Sequence, residues 1–193
     1  MLIDRYLPTF DATHVCEVSV VAPPETAYAA IRETDLRDPV IDFLFALREL
    51  PLRLARRLRV EAPPPVPQRV TFGDMAQIGP GFIRLAEEPG TELVIGAAGR
   101  FWRNDYGARP VSGAEFISFR EPGNAKLAIS LAVRPAGRGS IVRYEARTAT
   151  TDAVARRKFG IYWRLIVPGV ALVMRRALLR IKAEAERRAL VAA

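Results

Sequence analysis

The longest regular pattern of apolar and polar positions lies at the C-terminal end of the chain, from Asp152 to Arg188. At about 100° per residue, one wide face of this segment is apolar. That face carries Phe159, Tyr162, Trp163, Val170, Val173, Met174, Ala177 and Ile181. The opposite ridge carries Arg157, Arg164, Arg175 and Lys182. The spacing predicts one long amphipathic helix that bends at Pro168.

Alternating segments elsewhere in the chain predict β-strands. In Thr13 to Ala22 the even positions share one face, which carries His14, Cys16, Val18, Val20 and Ala22. The segments 82–88 and 91–102 flank Pro89-Gly90, the preferred central pair of a type II turn. The segments 125–134 and 141–150 also alternate, and Leu127, Ile129, Leu131 and Val133 share a face of the first. Period-2 alternation of this kind is typical of strands with one buried side.

Shorter helices are predicted between the first strand and the hairpins. Pro23-Pro24-Glu25 suits a helix start, and Ala27, Tyr28 and Ile31 give that helix a buried side. A second helical block runs from about 40 to 59 and is divided at Pro51, with Phe43 among its apolar positions. The segment 62–68 carries four prolines and predicts a stiff connection within one domain. Ser112 and Glu115 fit a capping box, although an extended conformation of 115–119 is nearly as well supported.

This order of elements predicts an α+β fold in a single domain, residues 1–193. Sequential hairpins of half-polar strands form an antiparallel sheet with one wet face and one covered face. Only the last helix is long enough to cross the covered face. We therefore expect a curved antiparallel sheet wrapped around a long C-terminal helix, with two or three short helices after the first strand.

Composition narrows the classes of function. The 193 residues are 50% apolar and 26% charged, ordinary values for a globular protein, and the net charge is +8. From residue 152 onward the chain has ten Lys or Arg residues and three acidic residues, so the net positive charge lies mainly on the last helix. The aromatic-plus-basic motifs of common nucleic-acid-binding modules are absent, and no segment is long and apolar enough to span a membrane. We expect no nucleic-acid partner and no stable membrane insertion.

The chain has one cysteine, so an internal disulfide is excluded. Its first residues do not resemble a signal peptide, since Asp4 and Arg5 interrupt them and no apolar stretch follows. Both features predict a cytoplasmic location.

Four segments are informative together: APPETAYAAI after the first strand, LAEEPGTELVIGAAGRFW, FREPGNAKLAISLAV, and RYEARTATTDAVARRKFGIYWRLI before the last helix. On these segments nearly the whole chain resembles the START-related SRPBCC superfamily, which includes polyketide cyclases and lipid-transfer domains. It implies a helix-grip fold, in which the sheet and the last helix enclose a tunnel for an apolar small molecule. It implies no catalytic motif, because one architecture hosts many functions.

Several residues are candidates for chemistry or for binding. His14 and Cys16 face inward from the first strand, either as a reactive pair or as a satisfied histidine beside a buried thiol. Glu87, Glu88 and Glu92 surround the Pro-Gly turn, where a charged, solvated hairpin end is the simpler interpretation than an acid–base pair. One His and one Cys are too few ligands for a tightly bound metal.

Aromatic residues dominate the predicted ligand site. Arg100 and Trp102 lie where a strand leaves the sheet, and a guanidinium beside an aromatic ring can hold an acidic or planar ligand. The sequence also predicts that Tyr28, Phe43, Phe116, Tyr144, Trp163 and Met174 share one interior. The ligand-binding candidates are therefore His14, Cys16, Tyr28, Phe43, Arg100, Trp102, Phe116, Tyr144, Trp163 and Met174.

Two functions from different classes are consistent with this site. The first is a binder or carrier of a hydrophobic small molecule, with no cofactor. The second is an enzyme of the polyketide cyclase or dehydratase type, which would use the same cavity and an inward acid or base such as His14 or Tyr144. A third possibility is a regulatory or membrane-surface role for the basic ridge of the last helix. A second apolar stripe on that helix, formed by Ile161, Leu165, Leu172 and Leu179, predicts a homodimer surface if no other part of the chain covers it.

Overall fold

The computed structural model describes residues 1–41, 43, 69–75, 81–103 and 107–192. The predicted helical block 40–59 lies outside this part of the chain except for residues 40, 41 and 43, and the proline-rich segment 62–68 lies wholly outside it. The described helices are α1 (Leu2–Tyr6), α2 (Pro24–Glu33), α3 (Gly113–Ser118) and α4 (Ala153–Ala192). The described strands are β1 (Ala12–Val20), β2 (Phe82–Glu88), β3 (Glu92–Gly99), β4 (Ala125–Ala136) and β5 (Gly139–Thr150).

The five described strands form one curved antiparallel sheet in the order β1-β5-β4-β3-β2. The hairpin from β2 to β3 turns at Pro89-Gly90, where the Thr91 amide donates to the Glu88 carbonyl at 2.9 Å. Gly90 adopts φ 83°, the left-handed conformation that the third residue of a type II turn requires. β1 forms one edge of the sheet and pairs with the last strand, β5, whose residues are more than a hundred positions further along the chain.

The long helix α4 crosses one face of this sheet along β1. Its start is held at one end, because Asp152 accepts a hydrogen bond from the Gly123 amide just before β4. Its last turns are held at the other end, where Lys182 donates to the Ser19 carbonyl at 2.7 Å and Glu186 accepts from the Val21 amide at 2.9 Å. This is the α+β helix-grip fold that the sequence predicts, and α4 is continuous through Pro168.

The inner face of the sheet, the face toward α4, carries the larger hydrophobic core. The core joins α2, the sheet and the C-terminal half of α4. The strand residues in it follow the predicted alternation: Val20, Leu93, Ile95, Ile129, Leu131, Val133, Val142, Tyr144 and Ala146. From α4 it contains Met174, Ala177, Leu178, Ile181 and Ala185.

The outer face is not the wet face that the sequence predicts. Helices α1 and α3 cover it, and a second core of Ile3, Leu7, Leu85, Val94, Phe116 and Ala128 lies there. The sequence pattern missed α1 because its five residues are too few for a helical period. Phe116 therefore lies on the opposite side of the sheet from Tyr144, and the prediction that both line one interior is wrong.

Candidate ligand site

The inner face of the sheet is sealed at one end and more open at the other. At the sealed end, beside the C-terminal half of α4, Leu131 and Val142 are 0% exposed. Two residues further along the paired strands, toward the start of α4, Ile129 is 8% and Ala146 9% exposed. The outermost inner-face positions, Leu127 on β4 and Phe82 on β2, are half-buried, as are His14 and Cys16 on β1. Half-buried inner-face side chains on β2 and β4 thus lie toward the end where α4 begins, which we call the open end, although Ala97 and Thr148 beside Leu127 are buried.

The middle of helix α4 is less buried than its C-terminal half. Its C-terminal half is packed tightly, since Met174 is 2% and Ile181 0% exposed. From residue 160 to residue 173 no position is fully buried, although the side toward the sheet is apolar. The half-buried apolar side chains there are Tyr162, Trp163, Ile166, Val167, Val170 and Val173. Half-buried apolar side chains on two surfaces that face each other are expected where those surfaces enclose a space.

An aromatic cluster borders the open end. Phe159, which is buried on the first turns of α4, stacks on Trp163 with ring centroids 5.8 Å apart. The Phe159 ring also meets Trp102 at 6.5 Å and Tyr162 at 6.1 Å. Trp102, Tyr162 and Trp163 are each half-buried. The start of α4 positions this aromatic cluster. Asp152 accepts a hydrogen bond from the Ala155 amide at 2.7 Å and fixes the first turn, so residues 159, 162 and 163 share one face of the helix.

The polar groups of the inner face are few. The sulfur of Cys16 lies 3.5 Å from Nε2 of His14, a contact that their shared face allows because the side chains lean together. Burial raises the pKa of the Cys16 thiol, and the charge of Arg175 lowers it less. Tyr144 is almost fully buried, and burial raises the pKa of its hydroxyl. Its ring packs edge-to-face on Phe72 at 5.3 Å. At neutral pH both groups are therefore uncharged.

The remaining sequence candidates lie elsewhere. Tyr28 lies at the sealed end, where its hydroxyl donates to Oε1 of Glu87 at 2.9 Å, and both burial and this carboxylate raise the pKa of the Tyr28 hydroxyl. Met174 is packed in the core, and the Phe43 side chain is 64% exposed. Arg100 lies beyond the end of β3 against Gly107 and Gly123, and its buried Nε has no hydrogen-bond partner among the described residues. The structure thus brings together His14 with Cys16, and Trp102 with Trp163, but does not unite the ten candidates.

The glutamates of the Pro-Gly turn are not a solvated hairpin end. Glu92 is buried on the outer face, where it accepts hydrogen bonds from the Leu2 and Ile3 amides at 2.7 and 3.2 Å and from Ser130 Oγ at 2.6 Å. Glu87 is bound by Tyr28, and it also pairs with Arg84 at 2.9 Å. Of the three, only Glu88 is exposed. The sequence does not predict this burial, because two of the three partners of Glu92 lie on α1, which has no sequence signal.

The sequence pattern also did not predict the buried network of ion pairs on the outer face. Glu145 accepts from Arg143 at 2.9 Å and from Arg147 at 2.7 Å, and Arg147 also reaches Asp4 at 2.7 Å. Alternation along β5 places Arg143, Glu145 and Arg147 on the face opposite the larger core, so the sequence pattern predicts that they contact solvent. In the structure α1 covers them instead. Among the described residues, no group of three or more His, Cys, Asp and Glu could hold a metal ion, and no helix is long and apolar enough to cross a membrane.

No family model matches the chain, and no curated protein is similar to it in sequence. Solved structures are similar in outline. Protein MLL2253 from Mesorhizobium loti matches over 91% of this chain and 98% of its own, at 14% identity and a TM-score of 0.42. The di-domain aromatase/cyclase StfQ of the steffimycin biosynthetic pathway matches over 92% of this chain and 52% of its own, at 14% identity and 0.43. The Zhui aromatase/cyclase from Streptomyces sp. R1128 matches over 92% and 94%, at 12% identity and 0.29. Likeness at this level does not transfer a ligand or an activity to this chain.

Proposed function

We propose that the protein binds an apolar small molecule between the N-terminal half of α4 and the open end of the sheet. The observation that carries this proposal is the group of half-buried apolar side chains on both of these surfaces. Leu127 and Phe82 on the sheet, and Trp163 and Val170 on the helix, are apolar and half-buried, whereas Leu131 on the sheet and Met174 and Ile181 on the helix are buried. An apolar ligand would remove this surface from water, at about 25 cal/mol for each Å² buried.

The chemistry of the walls favours binding over catalysis. A ligand site of this kind is mostly apolar with a few polar groups that fix orientation. Here His14 is such a group, because its register partner Ala146 lies toward the open end, and Cys16 is in contact with it. The cysteine is a poor nucleophile because the thiolate is the reactive form and burial disfavours it.

The alternative is an enzyme of the cyclase or dehydratase type, and one contact favours it. His14 lies 3.5 Å from Cys16, so one acid–base group and one thiol do meet on the inner face. The described inner-face residues at the open end include no carboxylate. Proton transfer would therefore depend on His14.

Native mass spectrometry of the freshly purified protein tests the binding proposal directly. We expect a population heavier than the chain by the mass of a small apolar molecule, which organic extraction removes. A mass equal to that of the bare chain, together with no binding of apolar probes, would contradict the proposal.

Tryptophan fluorescence locates the ligand, because the two tryptophans of the chain, Trp102 and Trp163, both belong to the aromatic cluster. We expect the fluorophore 1-anilinonaphthalene-8-sulfonate to quench them by energy transfer and to bind Trp163→Ala more weakly. Leu165→Ala is the matched control, since this side chain is on the same helix but 77% exposed. Equal affinity of all three proteins would place the probe elsewhere.

Substitution of His14 separates the carrier from the enzyme. His14→Ala should retain apolar-probe binding with at most a modest loss, because one half-buried imidazole contributes little apolar contact. If a turnover of a polyketide-like substrate were measured and this variant abolished it, the carrier proposal would be wrong and the alternative correct.

A further inference from the structure

A second pocket lies on the outer face of the sheet, on the opposite side from the ligand site. It has a volume of about 240 Å³ and is enclosed by the segment from Arg5 to Thr9, by the end of α3, and by β4 and β5 near Lys126 and Thr150. That volume is room for about eight water molecules, at about 30 Å³ each.

The pocket contains cations that have no anionic partner among the residues that the structure describes. Lys126 is only 6% exposed, and its Nζ donates to the Ile117 carbonyl at 3.1 Å. Arg120 Nη1 donates to the same carbonyl oxygen at 2.9 Å. Arg120 Nη1 also donates to the Phe119 carbonyl at 2.8 Å, so the hydrogen-bond acceptors of these two positive side chains among the described residues are neutral carbonyls.

Arg5 is a third cation in the lining, and none of the described residues that line the pocket is acidic. The nearby carboxylate of Asp11 is already bound to Thr150 and to Arg156. The carboxylate of Asp4 is bound to Arg147. Burial and the charge of Arg120 lower the pKa of Lys126 to about 8, as expected for a buried cation beside a like charge.

We propose that this pocket binds a small oxyanion, a phosphate or carboxylate group, between Lys126, Arg120 and Arg5. The anion would supply the negative charge that the two donors to the Ile117 carbonyl lack. Ammonium and guanidinium donors at a water-restricted site are the groups that proteins use for oxyanions. The site is independent of the apolar ligand site, because the sheet separates them.

The three lysines of the chain, Lys126, Lys158 and Lys182, allow a direct test by labelling. Pyridoxal 5′-phosphate condenses with an unprotonated amine to an imine with loss of water, and borohydride reduces the imine to a stable secondary amine that peptide mapping locates. Pyridoxal is the matched reagent, since it has the same aldehyde and no phosphate. Inorganic phosphate and acetate, added separately as protectants, distinguish a phosphate site from a carboxylate site.

We expect pyridoxal 5′-phosphate to favour Lys126 over the exposed Lys158 by about tenfold more than pyridoxal does, the effect of one charge-assisted contact. Inorganic phosphate should suppress labelling of Lys126 if the site binds a phosphate group, and acetate should do so if it binds a carboxylate; neither should suppress labelling of Lys158. The same preference with both reagents, or no protection by either anion, would overturn the proposal.

A variant at Arg120 tests the shared site without disturbing the core, because this side chain is exposed. In Arg120→Gln the phosphate-dependent preference for Lys126 should fall, while far-UV circular dichroism is unchanged. Arg138→Gln, on the turn between β4 and β5, is the control and should leave the preference intact. An unaltered preference in Arg120→Gln would contradict the assigned role of that guanidinium.

Discussion

Glu92 illustrates how a single residue can be misassigned when its partners are distant in sequence. Its neighbours Glu88, Pro89 and Gly90 indicate a polar turn, and that is what the sequence predicts. The fold instead places two backbone amides of α1 and the Ser130 hydroxyl within hydrogen-bonding distance of its carboxylate. A helix N-terminus with free amides stabilises a carboxylate that would otherwise be costly to bury.

Glu92→Gln should lower the free energy of unfolding by about 1–3 kcal/mol, because the amide replaces an acceptor-only group with one that places donors against other donors. Urea unfolding measures the change. Glu88→Gln is the control on the same turn and should be close to neutral, since Glu88 is exposed. Equal stability of the two variants would show that the buried carboxylate contributes nothing specific.

Lys126 gives the stability a pH dependence of known sign. The pKa of this amine is lowered from 10.5 to about 8 in the folded chain, first by burial and then by Arg120. Between these values the unfolded chain holds the proton more tightly, so the free energy of unfolding should rise with pH from about 8 toward 10. The raised pKa values of Tyr28 and Tyr144 act in the opposite direction near pH 10.

Comparison with Lys126→Met isolates this contribution, because the tyrosines are common to both proteins. The free energy of unfolding of the variant, measured in urea at several pH values, should lack the upward slope between pH 8 and 10. Identical slopes in both proteins would contradict the lowered pKa.

Elements were predicted most closely where one physical signal dominated. The strands β4 and β5 alternate strictly, and their predicted starts and ends lie within two residues of those observed. The capping box of Ser112 and Glu115 is present, with the Glu115 amide 3.3 Å from Ser112 Oγ and the Ser112 amide 2.7 Å from Glu115 Oε2. A local pattern fixes such elements because their hydrogen bonds are local too.

Which elements face each other was harder to predict from the sequence. Phe116 has the size and polarity of a core residue, but nothing in α3 indicates which face of the sheet it covers. His14 and Cys16 were predicted to face the same way, and the structure adds that they touch. For the candidate ligand site, the sequence predicted the helix and two of the aromatic residues in the cluster beside it. The open end could not be predicted, because it depends on how the strands and the helix pack against each other.

The start of α4 depends on Asp152, which accepts from the Ala155 amide and also holds the Gly123 amide. These hydrogen bonds lower the pKa of its carboxyl group. Asp152→Ala should cost about 0.5–2 kcal/mol of unfolding free energy, the usual effect of losing an N-cap. Asp152→Asn should cost less, because its side-chain oxygen still caps the helix. Thermal unfolding ranks the three proteins, and equal loss in both variants would indicate that charge matters more than capping.

At the scale of the whole molecule, one side of α4 is exposed to solvent. The predicted stripe of Ile161, Leu165, Leu172 and Leu179 is exposed by 40–77%. Of the cations on the same helix, Arg157, Lys158, Arg164 and Arg175 form no ion pair with the part of the chain that the structure describes. The homodimer predicted from the sequence would use this surface.

Sedimentation velocity checks that prediction. If two copies meet along the stripe, the wild type sediments as a dimer and Leu165→Glu as a monomer, since a buried unpaired carboxylate is strongly unfavourable in an interface. Leu190→Glu, at an equally exposed position near the end of α4, should leave the dimer intact. A wild type that sediments as a monomer at every concentration would remove the dimer from consideration.

The pairing of the first strand with the last has a consequence for synthesis on the ribosome. Ala12 is paired with Thr148, so β1 emerges and must wait for more than a hundred further residues before its partner exists. Contacts between such distant positions slow folding. The nascent chain therefore carries an unsatisfied strand edge through most of translation, and we expect its yield in cells to depend on chaperones more than its final stability would suggest.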